Sequence, residues 1–112
     1  LCWSDGQYEI DNGCTIGSGF TAEGYGAVEY CENLSYDGHT DWRLPTIQEF
    51  TAITDYSTHN NATQVSGFAG NSYYWSSTPY AGSSGSAWRW YSYGGGTYFS
   101  NRINRLRVRC VR

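Results

Sequence analysis

From Trp88 to Cys110 apolar and polar side chains alternate closely enough that three successive segments each split into two faces. Trp88, Trp90 and Ser92 fall on one side of an extended chain and Arg89, Tyr91 and Tyr93 on the other, because side chains alternate with period two in a strand. The triple glycine Gly94-Gly95-Gly96 turns the chain, and on the return Thr97, Phe99 and Asn101 oppose Tyr98, Ser100 and Arg102. In a last segment Leu106, Val108 and Cys110 oppose Arg105, Arg107 and Arg109. The pattern predicts three strands with a core face of Trp, Phe, Val and Cys and an outer face of Tyr, Ser and Arg.

Upstream, "QYEIDNGC" alternates and then turns at Asn12-Gly13, the sequence of a tight hairpin. In "TAEGYGAVEYCENL" the recurrence of Val28, Cys31 and Leu34 predicts a helix over 22–34 with Thr21 as its N-cap, against the helix-weakening Gly24 and Gly26. Within "DWRLPTIQEF", Thr46 followed three residues later by Glu49 is a capping box, and Ile47, Phe50 and Ile53 form an apolar stripe, so a second helix is expected over 46–54. Polar small residues from Asp55 to Asn71 read as a long loop, and "YYWSST" as a short aromatic strand. The chain therefore reads as a single α+β domain over residues 1–112, two helices packed on a small, twisted antiparallel sheet.

Composition sharpens this picture in two places. Eleven Tyr and five Trp against four Phe mean that much of the apolar mass carries a polar handle, which suits half-wet surfaces. Although the net charge is -3, every carboxylate lies at or before Asp55 and every cation except Arg43 at or after Arg89. Either the two halves pair across the fold, or a basic face is offered to a partner. With no Lys and an acidic balance, nucleic acid is not the expected partner. No apolar run approaches the roughly 20 residues of a membrane-spanning helix. The cysteines Cys2, Cys14, Cys31 and Cys110 lack zinc-ligand spacing, so two disulfides and an extracytoplasmic setting are expected. Among the three possible pairings, Cys2–Cys14 would close the hairpin and Cys31–Cys110 would tie the first helix to the last strand.

Catalytic and cofactor chemistry is not expected. His39 and His59 lie in polar loop-like stretches, no nucleophile elbow is present, and the triple glycine sits in a hairpin rather than between strand and helix. Glu29 and Glu32 fall on the outer face of the first helix. Asp37, Asp41 and Asp55 are spread too thinly for a calcium loop and read as caps, so no metal is expected. Two Asn-x-Ser/Thr triplets begin at Asn33 and Asn61, and the second lies in a loop able to carry a glycan.

In order, "YCENL", "DWRLPTIQEF", "YYWSST", "AW" and "VRCVR" resemble the bacterial, archaeal and viral family named for the C-terminal domain of the Legionella collagen-like protein. The resemblance spans Cys31 to Arg112. It implies a C-type lectin-like fold with adjacent termini and a Cys31–Cys110 disulfide. The calcium-binding sugar motifs of C-type lectins are absent, and the chain is much shorter than the formylglycine-generating enzyme that shares the broader fold. Domains of this fold and family also serve as variable proteins of diversity-generating retroelements, in which adenine-directed mutation near the C-terminus scatters the ligand-contacting codons. By that resemblance the contact residues are Ser84, Ser86, Arg89, Tyr91, Tyr93, Tyr98, Ser100, Arg102, Asn104, Arg105 and Arg107, with Leu106 among the variable positions and Trp88, Val108 and Cys110 as framework. The implied function is recognition of a protein or glycan receptor by a domain of a larger cell-surface or virion protein. A fixed adhesin or carbohydrate-binding module is the alternative.

Overall fold

The structure, a computed structural model, describes residues 9–11, 14–16, 21–35, 38–58, 60–63, 68 and 70–112. Strands β1 (Glu9–Asp11) and β2 (Cys14–Ile16) pair antiparallel with Asp11 opposite Cys14, the expected hairpin, whose Asn12-Gly13 turn lies outside the described residues. The main sheet is built from β3 (Thr21–Glu23), β4 (Tyr73–Pro79), β5 (Ser86–Tyr91), β6 (Thr97–Asn101) and β7 (Arg105–Arg107), in the order β3-β7-β4-β5-β6. Two helices, α1 (Gly24–Glu32) and α2 (Ile47–Ile53), complete an α+β fold. The sheet is mixed rather than wholly antiparallel: β7 runs antiparallel to β3, and that direction makes its contact with β4, at Tyr74 opposite Arg107, a parallel one. The expected adjacency of the termini involves Leu1, which is outside the described residues.

The first helix begins later than its periodicity implies. Thr21 is not an N-cap, because Thr21–Glu23 takes its backbone partners from β7 as a strand. Helix α1 then starts at Gly24, whose N–H donates to the Arg102 carbonyl at 2.7 Å. A Cβ there would stand 3.0 Å from Trp75 Cζ2 and 3.1 Å from the Arg102 Cα, so the glycine permits a close approach of helix and sheet. Helix α2 ends where expected. Thr46 Oγ1 accepts the Glu49 N–H at 3.2 Å and Glu49 Oε1 accepts the Thr46 N–H at 2.8 Å, a reciprocal capping box.

Tyr74 and Trp75 are neighbours on β4, point to opposite faces and are both fully buried. Each face of the sheet therefore has its own core. One gathers Trp75 and Ala87 with Ala27, Cys31 and Leu34 from the α1 side, Trp42, Leu44 and Val108; Glu29 and Glu32 stay on the exposed side of the helix. The other gathers Tyr74 and Trp90 with Phe50, Phe68 and Val111. Phe50 stacks on Trp90 with centroids 5.3 Å apart and planes 13° from parallel. The Trp90 indole N–H is satisfied by Thr54 Oγ1 at 2.9 Å, which itself donates to the Phe50 carbonyl at 2.8 Å.

The two-core arrangement corrects three assignments from the alternation. Arg109 is buried, 1% exposed, with its guanidinium 4.3 Å from the Phe68 ring centroid, because the odd face of the last segment is covered by the second core. Trp88 and Phe99 lie on the side expected but only half-buried, Trp88 because an open groove separates it from α2. Tyr80 covers part of this edge, stacking on Phe99 at 3.9 Å and meeting Trp88 in a T-shape at 5.5 Å.

A disulfide joins Cys31 to Cys110, with Cα atoms 5.5 Å apart and a sequence separation of 79. Closing a loop of that length stabilises the fold by about 4 to 5 kcal/mol in the chain-entropy account. The Cys2–Cys14 pairing lies outside the described residues. Backbone pairing of Arg43 with Val111 in both directions, at 2.8 and 2.7 Å, holds the same C-terminal segment against the lead-in to α2. The halves of the chain also meet electrostatically, through Arg112 Nε and Asp41 Oδ1 at 2.8 Å.

Arg43 grips Glu49 with two bonds of 2.6 and 2.8 Å. This bond, with the Thr46 N–H, holds the Glu49 carboxyl down to about 2. Because the folded value lies below the unfolded one, the contribution is full above about pH 4.5 and is lost as the pH falls toward 2. Glu49→Gln, which keeps an acceptor for the cap, should cost about 1 to 2 kcal/mol at pH 7 after allowance for the exposed Arg43, and almost nothing near pH 2. Urea denaturation of both proteins across that range checks the convergence. Trp90→Ala should cost about 3 to 5 kcal/mol and Trp88→Ala about half as much, measured the same way.

Candidate binding surface

The Trp75 face of the sheet is covered by α1 only at one end. Register carries Tyr73, Arg89, Tyr91, Tyr98 and Ser100 onto that same face, because Tyr73 lies opposite Tyr91, Trp75 opposite Arg89, Arg89 opposite Tyr98 and Ala87 opposite Ser100. Of these, Tyr73 and Tyr98 are exposed and Arg89, Tyr91 and Ser100 half-buried. Tyr73, Tyr93 and Tyr98 are 39%, 50% and 56% exposed, an unusual concentration of open rings.

The patch is organised around Arg89. Its guanidinium carbon sits 3.9 Å from the Tyr73 ring centroid and 5.8 Å from that of Tyr98, and its Nε donates to Ser100 Oγ at 2.6 Å. Stacking between Tyr73 and Tyr91, centroids 4.4 Å apart, continues the array, and Tyr93 leans on Tyr91 at 6.0 Å. The Tyr91 hydroxyl hydrogen-bonds Asn71 Oδ1. Tyr93 is held by the chain behind it: buried Ser92 exchanges bonds of 2.8 Å with Ser72, and its carbonyl accepts the Ala62 N–H at 2.8 Å. Gly94 and Gly95 then turn the chain with φ of 81° and 77°, the left-handed values that favour glycine. Such a surface offers flat apolar area, hydroxyls at its rim and one oriented cation.

Not every residue expected at the contact surface joins it. Ser86 is buried, 7% exposed, under the turn that precedes β5, so its side chain does not reach a partner. Ser84 is exposed in that turn and Asn104 in the turn after β6. These turns lie together, since the Arg102 N–H donates to the Gly85 carbonyl at 2.8 Å and Arg102 Nε to the Ser86 carbonyl at 3.3 Å. Ser84, Arg102 and Asn104 thus lie at a loop end, while exposed Arg105 opens β7 opposite Glu23 and Leu106 packs on the first core. Arg107 shares its register with Tyr74, on the opposite face from Arg89, and its Nε donates to Ser72 Oγ at 3.1 Å. Tyr73 and Asn71 belong to the patch although the alternation of the tail does not reach them; the step from Tyr73 to buried Trp75 within "YYW" is the signal that carries Tyr73 there.

The other candidate residues have structural settings. Asp55 Oδ1 accepts from the Ser57 N–H at 3.0 Å and its hydroxyl at 2.6 Å, the expected capping role, while Asp41 is held by Arg112; Asp37 and His59 lie outside the described residues. His39 packs in a T-shape against Trp42 at 6.5 Å. Asn61, at the head of the triplet in the loop, has a φ of 83° and turns its amide inward to donate to the Phe68 carbonyl at 2.7 Å.

Arg89→Ala should cost about 1 kcal/mol in stability, the scale of a half-exposed cation–π contact plus one hydrogen bond. Tyr98→Ala should cost less than about 0.5 kcal/mol. A loss near 3 kcal/mol for either in urea denaturation would show that the ring array is a third core and not a surface.

A family model described as the Lcl C-terminal domain matches residues 1–112, and the chain belongs to that family. No match was found among curated proteins.

Proposed function

From membership of the Lcl C-terminal domain family, we propose that this domain is a recognition module whose contact surface is the open sheet face around Arg89. The observation that carries the reading is the interruption of cover on that face. Trp75 and Ala87 are sealed by α1, whereas Tyr73, Tyr98 and their neighbours on the same strands are left to solvent. Tyrosine supplies broad contact area with few torsions to freeze, serine adapts its hydroxyl, and arginine adds charge-assisted bonds, a composition similar to antibody paratopes. A family named for a C-terminal domain, with the Cys31–Cys110 cross-link, fits a surface-associated unit of a larger protein in an oxidising location. The partner is a protein or glycan receptor at a cell or virion surface.

The surface is diversified in our reading. Its side chains stand on a backbone whose core-facing residues are independent of them: Trp90 is fully buried between Arg89 and Tyr91, and Ser92 between Tyr91 and Tyr93. Exchange of the outer residues leaves that core intact. Sequencing the coding locus and its flanks should reveal a second, near-identical copy of the DNA for residues 73–112 that differs at its adenines. A locus without such a copy makes this a fixed surface, and the adhesin reading replaces the variable one.

Replacing Tyr91, Tyr93 and Tyr98 together by Ala should abolish binding to any receptor found by screening the domain against arrayed surface proteins and glycans. The thermal midpoint should move by only a few degrees. A variant that binds as the parent does removes this face from the function.

A further inference from the structure

On the other side of the sheet a groove of about 400 Å³ opens between α2 and the strands, lined by Ile47, Gln48, Thr51, Thr78, Trp88 and Thr97. This volume lies at the low end for small-molecule sites, roughly 300 to 1,000 Å³. None of the six side chains is charged, although the domain carries seven arginines and ten carboxylates. The nearby Glu49 is turned away to Arg43 at 2.6 Å.

The polar groups of the groove have preset senses. Thr51 Oγ1 donates its proton to the Ile47 carbonyl at 3.0 Å, which leaves its lone pairs as acceptors. Thr78 Oγ1 accepts the Ile47 N–H at 3.0 Å, which leaves its own O–H as a donor. Gln48 and Thr97 are exposed and offer both senses. Half-buried Trp88 supplies an aromatic wall, braced by Tyr80 at 5.5 Å.

An aromatic wall beside uncharged donors and acceptors matches a ligand that has an apolar C–H face and a ring of hydroxyls, each able to give and to take a hydrogen bond. A phosphate, a sulfate or a carboxylate would find no cation in this lining, and a purely apolar ligand would leave the threonines and Gln48 unmatched. We propose that the α2–β5 groove is a second ligand site, which takes a neutral pyranose ring of a glycan against Trp88. It is independent of the Arg89 surface, since Trp88 and Arg89 point to opposite faces of one strand.

The test is saturation-transfer NMR on the whole domain with three probes, methyl β-galactoside, methyl α-mannoside and methyl N-acetyl-β-glucosaminide, each at about 10 mM to reach millimolar affinities. At least one should receive saturation at its ring C–H protons and shift the Trp88 indole N–H resonance. Thr97→Lys, at an exposed strand position that tolerates the change, should weaken that binding about tenfold or more, and Gln48→Ala should weaken it less; the Tyr91, Tyr93 and Tyr98 triple variant should bind the sugar as the parent does. Trp88→Phe, which keeps an aromatic wall and the fold, should retain part of the affinity. Absence of transfer to all three glycosides overturns the proposal, as does transfer that survives Thr97→Lys or disappears with the tyrosines.

Discussion

Two adjacent aromatic side chains, Tyr74 and Trp75, set the terms for the rest of this domain. Both are fully buried and they point to opposite faces of one strand, so the sheet has to be covered on both sides. A domain of 112 residues has little chain with which to do this. Helix α1 has nine residues and α2 seven, and each seals only part of its face. The first cover is extended by Trp42 and Leu44, the second by Phe68 and by the guanidinium of Arg109. Where the covers stop, the Arg89 patch opens on one face and the Trp88 groove on the other. Surface chemistry here is the remainder of a packing problem.

The covers are tied to the sheet by few but strong constraints. Cys31 joins α1 to the C-terminal segment, and Val111 joins that segment to Arg43 ahead of α2. Arg43 also holds Glu49, so the ionic clamp, the capping box and the backbone bridge meet within a few residues of the start of α2. A helix of this length has almost no stability of its own. Its position depends on those contacts and on the stacking of Phe50 against Trp90.

Much of this was legible in the residues. The capping box at Thr46 and Glu49 located α2 because it is a local device, complete within four positions. Alternation sorted Trp90 from Arg89 and Tyr91 because β5 keeps one register with Tyr73–Trp75 of β4 on one side and with β6 on the other; the shift in β4 comes only after Trp75. It failed at Arg109, where an arginine in a strand reads as outward but meets a covered face. Phe68 gave no warning, as one aromatic in a polar stretch has no period. Thr21–Glu23 read as a helix start because three residues before a helix carry too little pattern to announce a strand, and their partner lies more than eighty positions away. The patch was only half visible: the tail showed its Tyr and Arg, while Tyr73 and Asn71 came from a strand whose consecutive aromatics mask which ring faces where.

The order of strands has a consequence for how the domain is made. Strand β7 stands between β3 and β4, so one interior strand of the sheet is synthesised after both of its neighbours. As the chain is synthesised, β4, β5 and β6 can pair in turn, but β3 has no strand to join until residues 105–107 follow. The cysteine on α1 likewise waits for residue 110. The β3–α1 part of the fold thus stays unpaired until residues 105–110 have been made, and the closing of the sheet and the meeting of the two thiols fall together.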